Sequence, residues 1–316
     1  MTSTAAPSVL PDCRQQIGER RGPTLCETHA ALDQREIRHH NPSLAGRTKF
    51  SFAVSLCDSA ARIPERNMKT ILLSLSLAAV AAPTIAKTDD VKASAARQAE
   101  ERLHTDWAWL GRYTEANTAL PAGIAGPRVV FIGDSITQGW FDMAPTFFTD
   151  NNRIGRGIGG QTTPQMVLRF RQDVIDLKPA VVQIMAGTND IAGNTGPMTL
   201  DQSKANIMTM AELARAHGIR VILASIPPAA NFPWRPGLET ADKIVAMNSW
   251  LKGYAAQTGA TYADYWTALH DGKGFRASLT YDGVHPNKAG YAVMGPVAEA
   301  AIRASLAKPA PKALAR

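Results

Sequence analysis

Cysteine is scarce: three residues, Cys13, Cys26 and Cys57, in a chain of 316, and none after Met68. Beyond Met68 there is therefore no disulfide framework, no thiolate metal site and no cysteine nucleophile. The apolar stretch from Ile71 to Ala82 falls short of the roughly 20 residues that a membrane-spanning helix needs. Charge of one sign is not concentrated either. A formal net charge of +7 invites a nucleic-acid or membrane-surface reading. However, the first 86 residues hold 10 Lys+Arg against 7 Asp+Glu, so of the 34 and 27 in the whole chain 24 and 20 remain, an excess of only 4. These basic residues are scattered, without the aromatic and basic alternation that stacks single-stranded bases. Nucleic acid is not expected as a partner.

From Met68 the sequence reads MKTILLSLSLAAVAAPTIAK, with one Lys, the apolar stretch, then Pro83 and the small residue Ala86. This is the layout of a signal peptide over 68–86 with cleavage after Ala86; a buried core helix is the alternative for a stretch of that length. The layout predicts an exported protein, periplasmic or secreted. With no cysteine near the cleavage point, no stable membrane anchor is expected. Residues 1–67, rich in Arg, Pro, Ser and Thr and without a sustained period of 2 or 3.6, read as disordered or as an upstream extension from a mis-assigned start codon. A short regulatory or targeting segment is the alternative. The folded domain is expected over 87–308, with a flexible tail at 309–316.

Within 87–308, apolar runs alternate with helical patterns. Residues 89–107, rich in Ala, Glu and Arg, read as a surface helix. RVVFI (128–132) has the look of a buried parallel strand, a weaker second strand ends near Ile158, and AVVQIMA (180–186), RVILASI (220–226) and Thr261 to Trp266 supply three more. Helical segments are expected at 163–177, opening on Thr162, Thr163 and Pro164, at 203–217, closed by Gly218, at 240–257, and from Asn287 to Leu306. Strand and helix in alternation predict a parallel sheet covered by helices on both faces, with ligands bound outside the carboxyl ends of the strands.

Polar and glycine residues collect where that rule points. Gly133-Asp134-Ser135-Ile136-Thr137 follows the first strand, Gly157-Ile158-Gly159-Gly160 the second, Gly187-Thr188-Asn189-Asp190 the third, and Asp282-Gly283-Val284-His285-Pro286 precedes the last helix. Ester hydrolysis by serine needs a base for the hydroxyl proton, a carboxylate to orient the base, and donors for the developing oxyanion. Ser135 at a strand-to-helix turn can offer both hydroxyl and backbone N–H. Asp282 and His285, three apart around Gly283, can share one tight turn. Gly160 can bring a backbone N–H close because it lacks a side chain, and Asn189 can add its amide. Singly, each is ambiguous: a Gly-Asp-Ser after a strand is more often a helix cap, and Asn-Asp more often a turn. The glycines at 157–160 lack the spacing of a phosphate-binding loop.

Together and in this order, GDSIT around Ser135, GIGG ending at Gly160, GTND with Asn189, and DxxH as Asp282 with His285 resemble the four blocks of the SGNH/GDSL hydrolases, over roughly Val129 to Ala289. The resemblance implies a flavodoxin-like three-layer α/β/α sandwich with a parallel five-stranded sheet. It also implies a Ser135–His285–Asp282 triad, an oxyanion hole from Ser135, Gly160 and Asn189, and neither metal nor cofactor. Gln161 departs from it, because many members have Asp after that glycine. The absence of GxSxG separates the chain from the α/β-hydrolases.

The implied partner is a small-molecule, carbohydrate or lipid ester. Without a long insertion to form a lid, short acyl or acetyl esters are favoured. Lysophospholipase, thioesterase and acyltransferase activities of the same family are the alternatives, with a non-catalytic carbohydrate- or lipid-binding protein behind them. Trp140, Phe232 and Trp234 are candidates for the substrate pocket, the other reading being that they are core.

Overall fold

Five short segments become the strands of a single sheet, and three of them are buried along their whole length. The computed structural model of the chain describes residues 93–121 and 126–314. A helix α1 (93–105) and a short α2 (Thr114–Thr118) come first. There follow β1 (Val129–Gly133), α3 (Ser135–Met143), α4 (Pro145–Thr149), β2 (Arg153–Gly157), α5 (Thr163–Asp173), β3 (Val181–Met185), α6 (Thr188–Ala192), α7 (Leu200–Ala216) and β4 (Arg220–Ala224). The chain continues through α8 (Ala241–Thr258), β5 (Thr261–Ala263), α9 (Tyr265–Leu269), the small antiparallel pair β6 (His270–Asp271) and β7 (Gly274–Phe275), and α10 (Lys288–Leu306).

The sheet order is β2-β1-β3-β4-β5, and every neighbouring pair is parallel. This is the flavodoxin-like α/β arrangement, whose strand order reverses between β1 and β3 and opens a crevice there. Side chains alternate across the sheet. Val130, Ile132, Val182, Ile184, Val221 and Leu223 pack under α5, α7 and α8, whereas Val129, Phe131, Val181, Met185 and Ile222 pack under α3, α4, α9 and α10. Burying both faces is what a period-2 strand without a polar face requires.

Two departures from the sequence pattern have local causes. β2 carries two arginines, which weakens its apolar signal. They stay because Arg153 pairs with Glu299 at 2.6 Å and Arg156 donates to Asn117 at 2.7 Å. The fifth strand ends at Ala263 rather than Trp266, since Asp264 accepts the Thr267 N–H at 3.0 Å and starts α9. At the C-terminus, Leu314 N–H donates to Ala216 O at 2.9 Å. Segments 1–67 and 68–86 lie outside the described residues. Among the described residues no helix is long and apolar enough to cross a membrane.

Candidate active site

Ser135 opens α3 directly after β1, so its N–H is one of the four a helix leaves without an intrahelical acceptor. The turn is held by Asp134, whose carboxylate accepts the Ile136 N–H at 2.9 Å. Gly157 makes the approach of α3 to β2 feasible: a Cβ there would stand 2.1 Å from Gln138 N and 2.7 Å from Asp134 O, both backbone atoms. Asp134 is fully buried, and burial pushes its carboxyl up to about 6, against the Ile136 N–H bond and the attraction of His285.

Across the cleft, one turn presents the other two candidates. Asp282 Oδ1 accepts the backbone N–H of Val284 at 2.9 Å and of His285 at 2.7 Å, and Oδ2 lies 2.6 Å from His285 Nδ1. A carboxylate can only accept, so Nδ1 carries the proton and Nε2, 2.8 Å from Ser135 Oγ, is left to accept the hydroxyl. Burial raises the Asp282 carboxyl, but the His285 and Val284 hydrogen bonds outweigh it and leave the group below its ordinary value. Thr280 braces the turn, donating to His285 O at 2.6 Å and accepting Gly283 N–H at 3.0 Å. The imidazole stacks on exposed Tyr281, 5.6 Å between ring centroids, and Trp234 stands at 6.1 Å on another side. The only mark of Tyr281 in the sequence is its place next to Asp282.

The other candidate donors come from the ends of β2 and β3. Gly160 sits at φ 77°, and a Cβ built on it would meet nothing within 4 Å. Glycine is therefore required by the left-handed backbone rather than by lack of room. Asn189, in α6, is buried and points Nδ2 at Gln161 O, 3.0 Å away, which leaves its second N–H free. The next residue, Asp190, fastens α6 in place by accepting from Thr163 N–H and Oγ1 and from Ser203 Oγ; burial raises its carboxyl against those bonds.

Gln161, the departure from the usual Asp, is a structural tie. Its Nε2 donates to Ala108 O at 2.7 Å, and its Oε1 accepts from Arg169 Nε at 2.6 Å. Arg169, wholly buried, also donates to Gly133 O, Arg156 O and Asp173, so it links the ends of β1 and β2 with the loop after β2. The sequence carried a sign of this. Residues 166, 169, 170 and 173 share one helical face, and Arg169 and Asp173 lie on it beside core residues Met166 and Phe170.

Of the pocket candidates, Trp140 is corrected. It is buried against Phe147 and Tyr291, at centroid distances of 4.6 and 5.7 Å, on the core side of α3, and cannot touch a substrate. Phe232 is also fully buried; it backs Trp234, its ring stacked at 5.0 Å and 14°. Trp234 itself is 39% exposed and borders an open cleft of about 800 Å³ with Asn194, Arg235 and Pro197. A second, smaller cleft of about 240 Å³ is lined by Gly160, Asn194, Trp107 and Trp109.

The model of the GDSL-like lipase/acylhydrolase family matches residues 131–293. A GDSL-like lipase structure from Bacteroides thetaiotaomicron VPI-5482 is 44% identical, with a TM-score of 0.60 over 63% of this chain and 98% of that one. Esterase TesA of Pseudomonas aeruginosa is 27% identical over 174 residues, 51% of this chain and 81% of its own length. The uncharacterized lipoprotein YqeF of Bacillus subtilis is 36% identical over 117 residues, 32% of this chain, and the chain spans about half of that relative, 48%. The chain belongs to the GDSL-like lipase/acylhydrolase family and is a serine hydrolase acting on ester bonds.

Proposed function

We propose that the protein hydrolyses short-acyl or acetyl esters through a Ser135–His285–Asp282 triad and an acyl-enzyme. The observation that carries this reading is the unbroken chain Ser135 Oγ, His285 Nε2, His285 Nδ1, Asp282 Oδ2, with separations of 2.8 and 2.6 Å. Ser135 Oγ attacks the carbonyl carbon as its proton passes to His285 Nε2. The oxyanion that forms takes hydrogen bonds from the N–H groups of Ser135 and Gly160 and from Asn189 Nδ2. His285 then protonates the leaving alcohol. It next removes a proton from water, which attacks the acyl carbon; the bond to Ser135 Oγ breaks, Oγ takes the proton back from His285, and the acid is released. Asp282 holds the tautomer that makes each transfer feasible.

The short-acyl preference is supported by the lack of a long insertion that could form a lid, and by Trp234, 6.1 Å from His285, which borders a cleft that also holds Asn194 and Arg235. Export with a signal peptide at 68–86 is supported by the residue pattern and by the likeness to a lipoprotein. The test is an ester panel varying acyl length, run on the exported protein, whose N-terminus is expected near Lys87. Acetyl and butyryl esters should have higher kcat/KM than dodecanoyl ones, and Ser135→Ala should abolish both turnover and fluorophosphonate labelling of a folded chain. Full activity in Ser135→Ala would refute the triad, and long-chain lysophospholipids as the best substrates would refute the short-acyl reading.

A further inference from the structure

Asn194, in the turn after α6, lines both clefts, and each polar atom of its side chain is engaged. Its Oδ1 accepts from Trp234 Nε1 at 3.1 Å, and its Nδ2 donates to Asn189 Oδ1 at 2.8 Å and Gly160 O at 3.3 Å. Asn189 Nδ2 in turn donates to Gln161 O at 3.0 Å. The polarity of this chain is unambiguous because both ends are. An indole N–H can only donate, and a backbone carbonyl can only accept. Turning over either amide would set donor against donor at one contact and acceptor against acceptor at another. The sense of Asn189, and so the direction of its free N–H, is held from two sides, by Gln161 O directly and by Trp234 through Asn194. The same turn is clamped a second time, by Arg235 donating to Gly193 O at 3.1 Å.

We propose that Asn194 is a positioning residue that locks the Asn189 amide with its free N–H toward the oxyanion, Trp234 setting the sense of the lock. This rests on the catalytic reading above. An amide with one lock removed spends part of its time turned over, with an oxygen where a donor is needed. The loss belongs to the transition state, when charge has moved onto the carbonyl oxygen, and so to kcat rather than KM.

The test is a double-mutant cycle of Asn189→Ala and Asn194→Ala on the full chain, with kcat expressed per Ser135 titrated by fluorophosphonate, so that unfolded protein does not count. Asn189→Ala should lower kcat about 100- to 1,000-fold. Asn194→Ala should lower it about 10- to 100-fold, with KM changed less than about threefold, and should cost less than about twofold more in a chain already carrying Asn189→Ala. Asn194→Asp, which keeps the acceptor for Trp234 but turns an oxygen on Asn189 Oδ1, should be at least as damaging as the alanine. A purely structural role predicts the reverse order. Asn194→Ala with kcat within about twofold of wild type, or with the same loss in both backgrounds, would overturn the proposal and leave the triad standing. A wild-type chain that neither turns over esters nor labels would overturn the catalytic reading and this one with it.

Discussion

On one side of the cleft, Asp282 and His285 sit three residues apart in a single turn, 29% and 18% exposed, held by their own backbone and Thr280. On the other side, Gly160, Gln161, Asn189 and Asn194 come from two loops and a short helix. They are tied to an Arg169–Asp173 pair with no exposure at all and to Trp107 and Ala108 ahead of the sheet, the former through Gln165. The first half is a local device that works wherever the turn forms. The second depends on the whole sandwich being assembled, because its donors are aimed by contacts between residues up to 53 positions apart. A hydrolase needs both. A proton transfer tolerates a flexible turn that realigns, whereas stabilising an oxyanion needs dipoles fixed before charge develops.

The sharpest way to break the local half is Asp282→Asn. The Asp282 Oδ1 is already held by two backbone N–H groups, so an asparagine would keep its oxygen there and turn its NH2 against His285 Nδ1. That demands the tautomer with the proton on Nε2, which cannot accept from Ser135. We expect kcat to fall on the order of 10⁴-fold while the melting temperature moves little. A loss below about tenfold would remove Asp282 from the triad.

Breaking the buried half should instead be read first in stability. Arg169→Met strips Gln161 Oε1, Gly133 O and Arg156 O of their donor and leaves the Asp173 carboxylate buried without its cation. Removing one partner of such a pair typically costs about 3 to 5 kcal/mol, measurable by urea unfolding. A loss under about 1 kcal/mol would mean that the network is not what holds the loop after β2.

The smallest effect sharpens the contrast, since Asp134 is a neighbour of Ser135 that is nevertheless buried like the second half. Its carboxyl, at about 6 when folded against 3.8 ordinarily, keeps a proton between pH about 4 and about 6 that the unfolded chain has lost. Stability associated with this group is therefore present below pH 4 and declines as pH rises through about 6. Asp134→Asn keeps an acceptor for the Ile136 N–H and removes the buried charge. The variant should be the more stable at pH 8, by at most about 3 kcal/mol, and the difference should close by pH 4. Parallel stability profiles for the two proteins between pH 4 and 8 would show that the carboxyl is not strained by burial.

What the sequence by itself determined follows from interactions of short range. The strand segments, their alternation with helices, the helix start at Thr162, Thr163 and Pro164, and the Asp282–His285 turn are all written within a few residues of one another, so period, capping and turn chemistry reveal them. β2 was the least legible strand because its two arginines find side-chain acceptors far along the chain, in α10 and α2. Tertiary structure alone decided that Trp140 is core and Trp234 is surface, because an aromatic residue carries no mark of which wall it will meet. It alone decided that Gln161 serves as a tie and that Asn194 stands between Trp234 and Asn189. Those roles are set by hydrogen bonds whose partners are brought together only when the strand order reverses between β1 and β3, and no spacing along the chain encodes that geometry.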